Sequence, residues 1–310
     1  MKVAFVFPGQ ASQYVGMGKD LYENNQFARE IFDRAEEILG FELKKVCFEG
    51  PEDELKQTKI TQPAIFVHSY IVSKLLDSKL KADMTAGHSL GEYTALVYAG
   101  VLSFEDGLRV VKLRGELMQR AGEERPGTMS AIIGLDDESV RKICEEVKDG
   151  VVQPANFNAP GQVVISGEVE AVKKAMELAQ KAGAKMVKEL VVSGAFHSPL
   201  MESAKEELKK ALDEVEFKKP LIPVYLNVTA KPTFDVEEIK NLLYHQITSP
   251  VLWSKIILNM ANDGAKKFYE IGPGKVLQGL IKRIVQDVEI SGFDKLEDIQ
   301  KFSGISGYGK

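Results

Sequence analysis

The stretch Ala86-Gly87-His88-Ser89-Leu90-Gly91-Glu92-Tyr93-Thr94-Ala95-Leu96 decides the fold. Its Gly87-x-Ser89-x-Gly91 core fits the tight strand-to-helix turn that presents a nucleophilic serine. The two glycines leave room for a sharp bend. The helix that Leu90 begins offers free N–H groups and a dipole end that favours negative charge, so an oxyanion would sit well beside Ser89. Ser89 is read as the nucleophile. The pattern alone arises by chance in a chain with 26 Gly, so its flanks carry the reading. Upstream, Ala82 to Ala86 is a short apolar-leaning run that suits a strand. Downstream, Glu92 to Ala99 reads as helix, with Gly100 as its stop.

Working outward, Lys2 to Phe7 is a near-continuous apolar run, as expected of a parallel strand buried on both faces. Helical patterning then runs to Gly40, a C-terminal stop. A second helix is expected from Thr61-Gln62-Pro63, with Thr61 as cap, to about Leu80. His68 falls inside it and is left without a role. Ser103-Phe104-Glu105-Asp106 resembles a capping box and opens a helix to Ala121. On that helix Arg114 interrupts an apolar stripe of Val110, Val111, Leu117, Met118 and Ala121. Either its stem lies on the core edge while its head reaches water, or a guanidinium is held for an anion, since a buried charge needs a partner.

Gly122 to Gly127 reads as a linker, and a β-α-β-β-α-β unit follows: Met129 to Gly134, Asp137 to Lys148, Val151 to Phe157, Gln162 to Ser166, Glu168 to Ala182 and Ala184 to Val191. Next comes Ser193-Gly194-Ala195-Phe196-His197-Ser198-Pro199, with Ser198 as cap and Pro199 in the first helical turn. That helix end disfavours an imidazolium, which keeps His197 neutral and available as a base. The α/β alternation then resumes: strand Ile222 to Val228, helices Val236 to Gln246 and Ser254 to Asp263, strand Lys267 to Ile271, helix Lys275 to Val285. The Gly272-Pro273-Gly274 turn lacks the glycine spacing of a phosphate loop. The tail from Ser291, ending Ser303-Gly304-Ile305-Ser306-Gly307-Tyr308-Gly309-Lys310, is Gly/Ser-rich and expected to fray.

The expected fold is therefore α/β: a large hydrolase-like domain with a mainly parallel sheet, residues 1–125 and 193–310, carrying an inserted small ferredoxin-like domain, residues 126–192. The 310 residues suffice for that, and 44% hydrophobic with 27% charged residues is ordinary for a soluble globular chain. A net charge of −5 carries no basic surplus for nucleic acid. No run approaches the ~20 apolar residues of a membrane span, and the N-terminal run is too short for a secretory signal. Cytoplasm is the expected location, and neither nucleic acid nor membrane is an expected partner. Cys47 and Cys144 share no metal or disulfide spacing. The histidine inventory is His68, His88, His197 and His245.

Taken together, Phe7-Pro8-Gly9-Gln10, the Gly87 to Tyr93 elbow, Arg114 and Gly194-Ala195-Phe196-His197-Ser198 closely resemble the malonyl-CoA:acyl carrier protein transacylases of type II fatty acid synthesis. The resemblance covers nearly the whole chain. It implies an acyltransferase whose partners are malonyl-CoA and acyl carrier protein, with no cofactor and no metal; a monomer is expected. It implies that Ser89 accepts the acyl group and His197 is general base and acid. Gln10 and Leu90 would supply backbone N–H groups to the oxyanion hole, and Arg114 would pair with the malonyl carboxylate. The Gln246 backbone carbonyl would orient His197. Asn156 and Gln62 stand in family-like contexts near the site; the His88 side chain gets no role. Gly194 to His197 resembles the malonyl-type signature, with Phe196 crowding a branched donor. A thioesterase would pass the acyl group to water, and the α/β-hydrolase order would suit His245 better than His197. A free-standing polyketide acyltransferase would carry the same residues, and a non-catalytic carrier-binding module would keep them only as a relic.

Overall fold

The computed structural model describes residues 1–302. Ten strands run in chain order: β1 (Lys2–Phe7), β2 (Met84–Gly87), β3 (Gly127–Ile133), β4 (Val152–Ala159), β5 (Gln162–Glu168), β6 (Met186–Leu190), β7 (Val224–Tyr225), β8 (Pro232–Thr233), β9 (Ala265–Ile271) and β10 (Glu289–Phe293). They form a six-stranded sheet of order β10-β9-β1-β2-β7-β8 and a four-stranded sheet of order β4-β5-β3-β6. The larger sheet is parallel except where β8 pairs with β7. In the smaller sheet every pairing is antiparallel.

The apolar run of β1 explains its central place. Val3, Phe5 and Phe7 enter one buried cluster and Ala4 and Val6 another, so both faces of the strand are covered by packed helices. The smaller sheet has a core of its own, built on Ile132, Val163, Ile165 and Phe157 with Val140, Ile143 and Val172 from two helices. An isolated parallel bridge between Asn156 and Val251 joins the smaller sheet to the segment before the Trp253–Asn262 helix.

Several elements differ from the sequence expectation. The helix expected from Thr61 begins at Thr58 and ends at Leu76, with Pro63 inside it. Proline has no N–H, so the Lys59 carbonyl loses its i+4 donor while the buried face keeps the helix going. The Phe104–Glu124 helix extends into the first half of the expected linker, where Gly122 is still on its buried face. The strand expected from Ile222 shrinks to Val224–Tyr225, after which the chain reverses with the Ala230 N–H bonded to the Leu226 carbonyl. Pro199–Ala204 is a 3₁₀ turn, and the α-helix starts at Lys205.

The tail from Ser291 does not fray where it is described. Through residue 293 it belongs to edge strand β10, followed by the helix Leu296–Lys301. Tyr14 donates to Asp294, which fastens this segment to the N-terminal loops. Residues 303–310, on which the rest of that expectation falls, lie outside the described residues. Among the described residues no helix is long and apolar enough to cross a membrane.

Candidate active site

The elbow is built as its glycines require. A Cβ on Gly87 would lie 1.9 Å from the Gly91 carbonyl carbon, and one on Gly91 would lie 2.1 Å from the Phe7 carbonyl oxygen. Only glycines allow strand, turn and helix to cross this closely. Between them Ser89 adopts φ 51, a left-handed conformation that is uncommon for a residue with a side chain. The helix behind it is Gly91–Tyr98.

Ser89 and His197 lie together although 108 positions separate them: Ser89 Oγ is 2.8 Å from His197 Nε2. On the far side of the ring His197 Nδ1 is 2.9 Å from the Gln246 carbonyl. A carbonyl only accepts, so Nδ1 carries the proton and Nε2 presents its lone pair to the serine hydroxyl. His197 is buried and its pKa falls to about 3, chiefly through burial and next through the Arg114 charge. The helix end expected to keep it neutral is only a 3₁₀ turn, so these two causes replace it. His197 also carries a left-handed φ of 56, and its carbonyl accepts from Gln153 Nε2 at 2.8 Å.

Arg114 is 1% exposed, so its head does not reach water. Its Nη1 donates to Gln62 Oε1 at 2.7 Å, and its Nη2 donates to Gln246 Oε1 at 2.9 Å and to Ser89 Oγ at 3.1 Å. The guanidinium lies over the Tyr93 ring, 5.5 Å from its centroid. Nε is buried with no acceptor among the described residues. Thus the cation is oriented by neutral amides, with no carboxylate among the described residues accepting from it, and keeps its capacity for an anionic partner.

Gln246 does more than its carbonyl shows, because its Nε2 also donates to the Ser89 carbonyl at 3.0 Å. Gln10, Leu90, Asn156, Gln62 and Phe196 line the same cavity of about 450 Å³ as Ser89, His197 and Arg114. The backbone N–H groups of Gln10 and Leu90 have no acceptor among the described residues. His88 Nε2 is 2.8 Å from Asn158 Oδ1 and its ring packs 5.4 Å from that of Trp253, so the side chain bridges the two sheets.

Other residues stand apart from this cluster. His245 is in the Val236–Gln246 helix against Tyr244, outside the cavity. His68 is buried, with Nε2 3.2 Å from Asp294 Oδ1. At the Gly272-Pro273-Gly274 turn the N-terminus of the Val276–Ile284 helix is occupied from within: Glu270 accepts the Leu277 and Gln278 N–H groups at 3.0 and 3.1 Å. A carboxylate already fills the place a phosphate would take. Among the described residues no cluster of three or more His, Cys, Asp or Glu side chains could hold a metal.

Sequence reasoning passed over Asn227 and Glu92, both fully buried. Asn227 accepts the Ser89 N–H, and its own N–H donates to Glu92. Burial lifts the Glu92 carboxyl to about 8, against the opposing pull of the Asn227 N–H and Arg114. Glu92 falls within the quoted elbow, but its partner comes from a turn that only the fold brings near.

The family model for the acyl transferase domain matches residues 4–300. The chain is 46% identical over 286 residues to the malonyl CoA-acyl carrier protein transacylase of Bacillus subtilis, covering 91% of this chain and 90% of that one. The crystal structure of an acyl carrier protein S-malonyltransferase from Vibrio cholerae is similar at a TM-score of 0.93 and 43% identity, covering 97% of this chain and 99% of that one. A malonyl-transacylase in complex with its type II PKS acyl-carrier protein is similar at a TM-score of 0.93 and 41% identity, with 97% and 98% coverage. With a serine elbow, a neutral histidine and a buried arginine meeting in one cavity, and relatives this similar over nearly the full length, the chain belongs to the malonyl CoA-acyl carrier protein transacylases of the acyl transferase family.

Proposed function

We propose that this chain moves a malonyl group from malonyl-CoA to the phosphopantetheine thiol of acyl carrier protein through a malonyl-serine intermediate. The observation that carries the reading is that Ser89 Oγ lies within 2.8 Å of His197 and 3.1 Å of Arg114 at once. Ser89 Oγ attacks the thioester carbonyl while His197 Nε2 takes its proton. The tetrahedral oxyanion is met by the free N–H groups of Gln10 and Leu90. Collapse breaks the C–S bond, His197 returns the proton to the CoA thiolate, and malonyl remains on Ser89. The carrier thiol then gives its proton to His197 and attacks the ester; the second collapse breaks the C–Oγ bond, His197 returns the proton to Ser89 Oγ, and malonyl leaves as the carrier thioester.

Arg114 supplies the selectivity. When the malonyl carboxylate enters, Nη2 exchanges the neutral Ser89 hydroxyl for an anionic oxygen, a stronger acceptor in the same buried place. Phe196 lines the cavity beside His197, which supports a preference for malonyl over a branched donor. Gln246 orients His197 through its carbonyl.

We also read residues 126–192 as a small ferredoxin-like domain inserted between 1–125 and 193–310. The strand order β4-β5-β3-β6, two covering helices and a separate core support that division. A monomer is part of the same reading. Free, buried Cys47 and Cys144 suit a reducing, cytoplasmic setting.

The test is the intact mass after incubation with malonyl-CoA, followed by peptide mapping. A malonyl increment on Ser89 that holo carrier protein then removes is the expected result. No increment, or an increment elsewhere, would end the proposal. Ser89→Ala should remain folded and unloaded.

A further inference from the structure

After Tyr225 the chain reverses, and the turn delivers Asn227 beneath the elbow from 138 positions away. Its side-chain amide meets both sides of His88. Oδ1 accepts the Ser89 N–H at 2.7 Å, and Nδ2 donates to the Gly87 carbonyl at 2.7 Å. Asn227 is itself seated by its backbone: its N–H donates to Glu92 Oε2 at 2.6 Å, and its carbonyl accepts the Leu252 N–H at 3.0 Å. Both Asn227 and Glu92 are fully buried, so water does not compete for these bonds.

Ser89 needs such support. At φ 51 it occupies a conformation that persists only where its surroundings impose it. The Gly91–Tyr98 helix begins two residues later, and the Ser89 N–H finds its acceptor in Asn227 and not in the backbone. A short amide carries a donor and an acceptor on one planar group, as a peptide unit has, at every pH.

Resting on the reading of Ser89 as the acyl acceptor, we propose that Asn227, seated by Glu92, is a positioning residue that holds the Ser89 peptide in its left-handed turn. Oγ thereby stays within reach of His197. Asn227 touches neither substrate nor reacting atom, and its effect passes through the serine backbone.

The test is single-turnover malonyl loading by intact mass for wild type, Asn227→Ala and Asn227→Asp, across malonyl-CoA concentration and pH. The loading rate at saturation should fall roughly 10- to 100-fold in both variants, while the half-saturating concentration stays within about threefold, because orientation and not binding is lost. Asn227→Asp carries a second signature. When protonated, its carboxyl regains the donor to the Gly87 carbonyl, so its rate relative to wild type should rise between about pH 8 and about pH 6. Wild-type loading rates in both variants would overturn the proposal. So would losses that match the unfolded fraction with no rise at lower pH. Failure of the wild type itself to load Ser89 would overturn the proposed function, and this inference with it.

Discussion

Arg114 Nη2 rests 3.1 Å from Ser89 Oγ, so the group that would select the substrate also donates a hydrogen bond to the nucleophile. That bond places the hydroxyl proton toward His197, because a serine oxygen accepting from a guanidinium is left to donate to the imidazole. Before malonyl enters, one side chain thus touches both the nucleophile and the place the carboxylate would take.

Removing Arg114 should separate two donors. In Arg114→Ala the malonyl carboxylate enters a buried site without a partner, a loss of about 2–5 kcal/mol. Malonyl transfer should drop roughly 30-fold to several thousand-fold in kcat/KM. Acetyl has no carboxylate to strand and should fall far less, so the malonyl/acetyl ratio should collapse. Arg114→Lys should recover only part, since an ammonium lacks the planar fork. Steady-state kinetics with both thioesters decide it, and parallel losses would make Arg114 structural.

Gln62 holds the other end of the fork, accepting Arg114 Nη1 at 2.7 Å. Gln62→Leu keeps similar bulk and removes that acceptor, which costs about 1.5–3 kcal/mol for a bond to a charged group. Malonyl kcat/KM should fall roughly 10- to 100-fold. Acetyl should change less, and an equal change in both would detach Gln62 from the carboxylate site.

With its pKa pushed down to about 3, His197 stays unprotonated through the range where free imidazole titrates. The single-turnover loading rate should therefore stay level from about pH 8 to about pH 5. A rate that halves near pH ~6.5 in wild type would show His197 titrating normally.

Glu92 makes stability depend on pH in the opposite sense from a paired surface carboxylate. Its folded pKa is raised from 4.5 to about 8, so the folded state holds the proton more tightly than the unfolded chain. The stability this contributes is fully present below about pH 4.5 and is lost as pH rises toward about 8. Glu92→Gln removes the titration. The Tm of wild type minus that of Glu92→Gln should fall from about pH 5 to about pH 8, and a difference that rises or stays constant over that range would contradict the buried carboxyl.

Gly91→Ala should damage the elbow directly. The added Cβ would lie 2.1 Å from the Phe7 carbonyl oxygen, and backbone on both sides must move to relieve it. Overpacking of this kind costs about 1–3 kcal/mol or more, so Tm should fall and Ser89 loading should fall with it. Unchanged Tm and loading would mean that strand and helix do not cross as closely as the structure has them.

How much of this was legible in the sequence depends on how far apart the cooperating residues are. The elbow could be read because Gly87, Ser89 and Gly91 act on one another across a few bonds. Strand β1 could be read because five successive residues, Val3 to Phe7, are all buried. Residues 126–192 showed their β-α-β-β-α-β order for the same reason. Arg114 was visible as an irregularity in a helical stripe, but only its 1% exposure decided between reaching water and facing a ligand. The roles of Gln10, Leu90 and Gln246 came from family resemblance, since a backbone N–H or carbonyl looks the same at every position. Local signals also misled: Thr61 and Pro63 marked a helix start that burial moved to Thr58. Asn227 left no local signal at all, its partners at the elbow being 135 to 140 positions away. The sequence by itself determined the elements and the nucleophile's turn, because glycine sterics and apolar periodicity act between near neighbours. Only the tertiary structure decided which amides hold Ser89, His197 and Arg114, because packing alone sets the distance between remote segments of a chain.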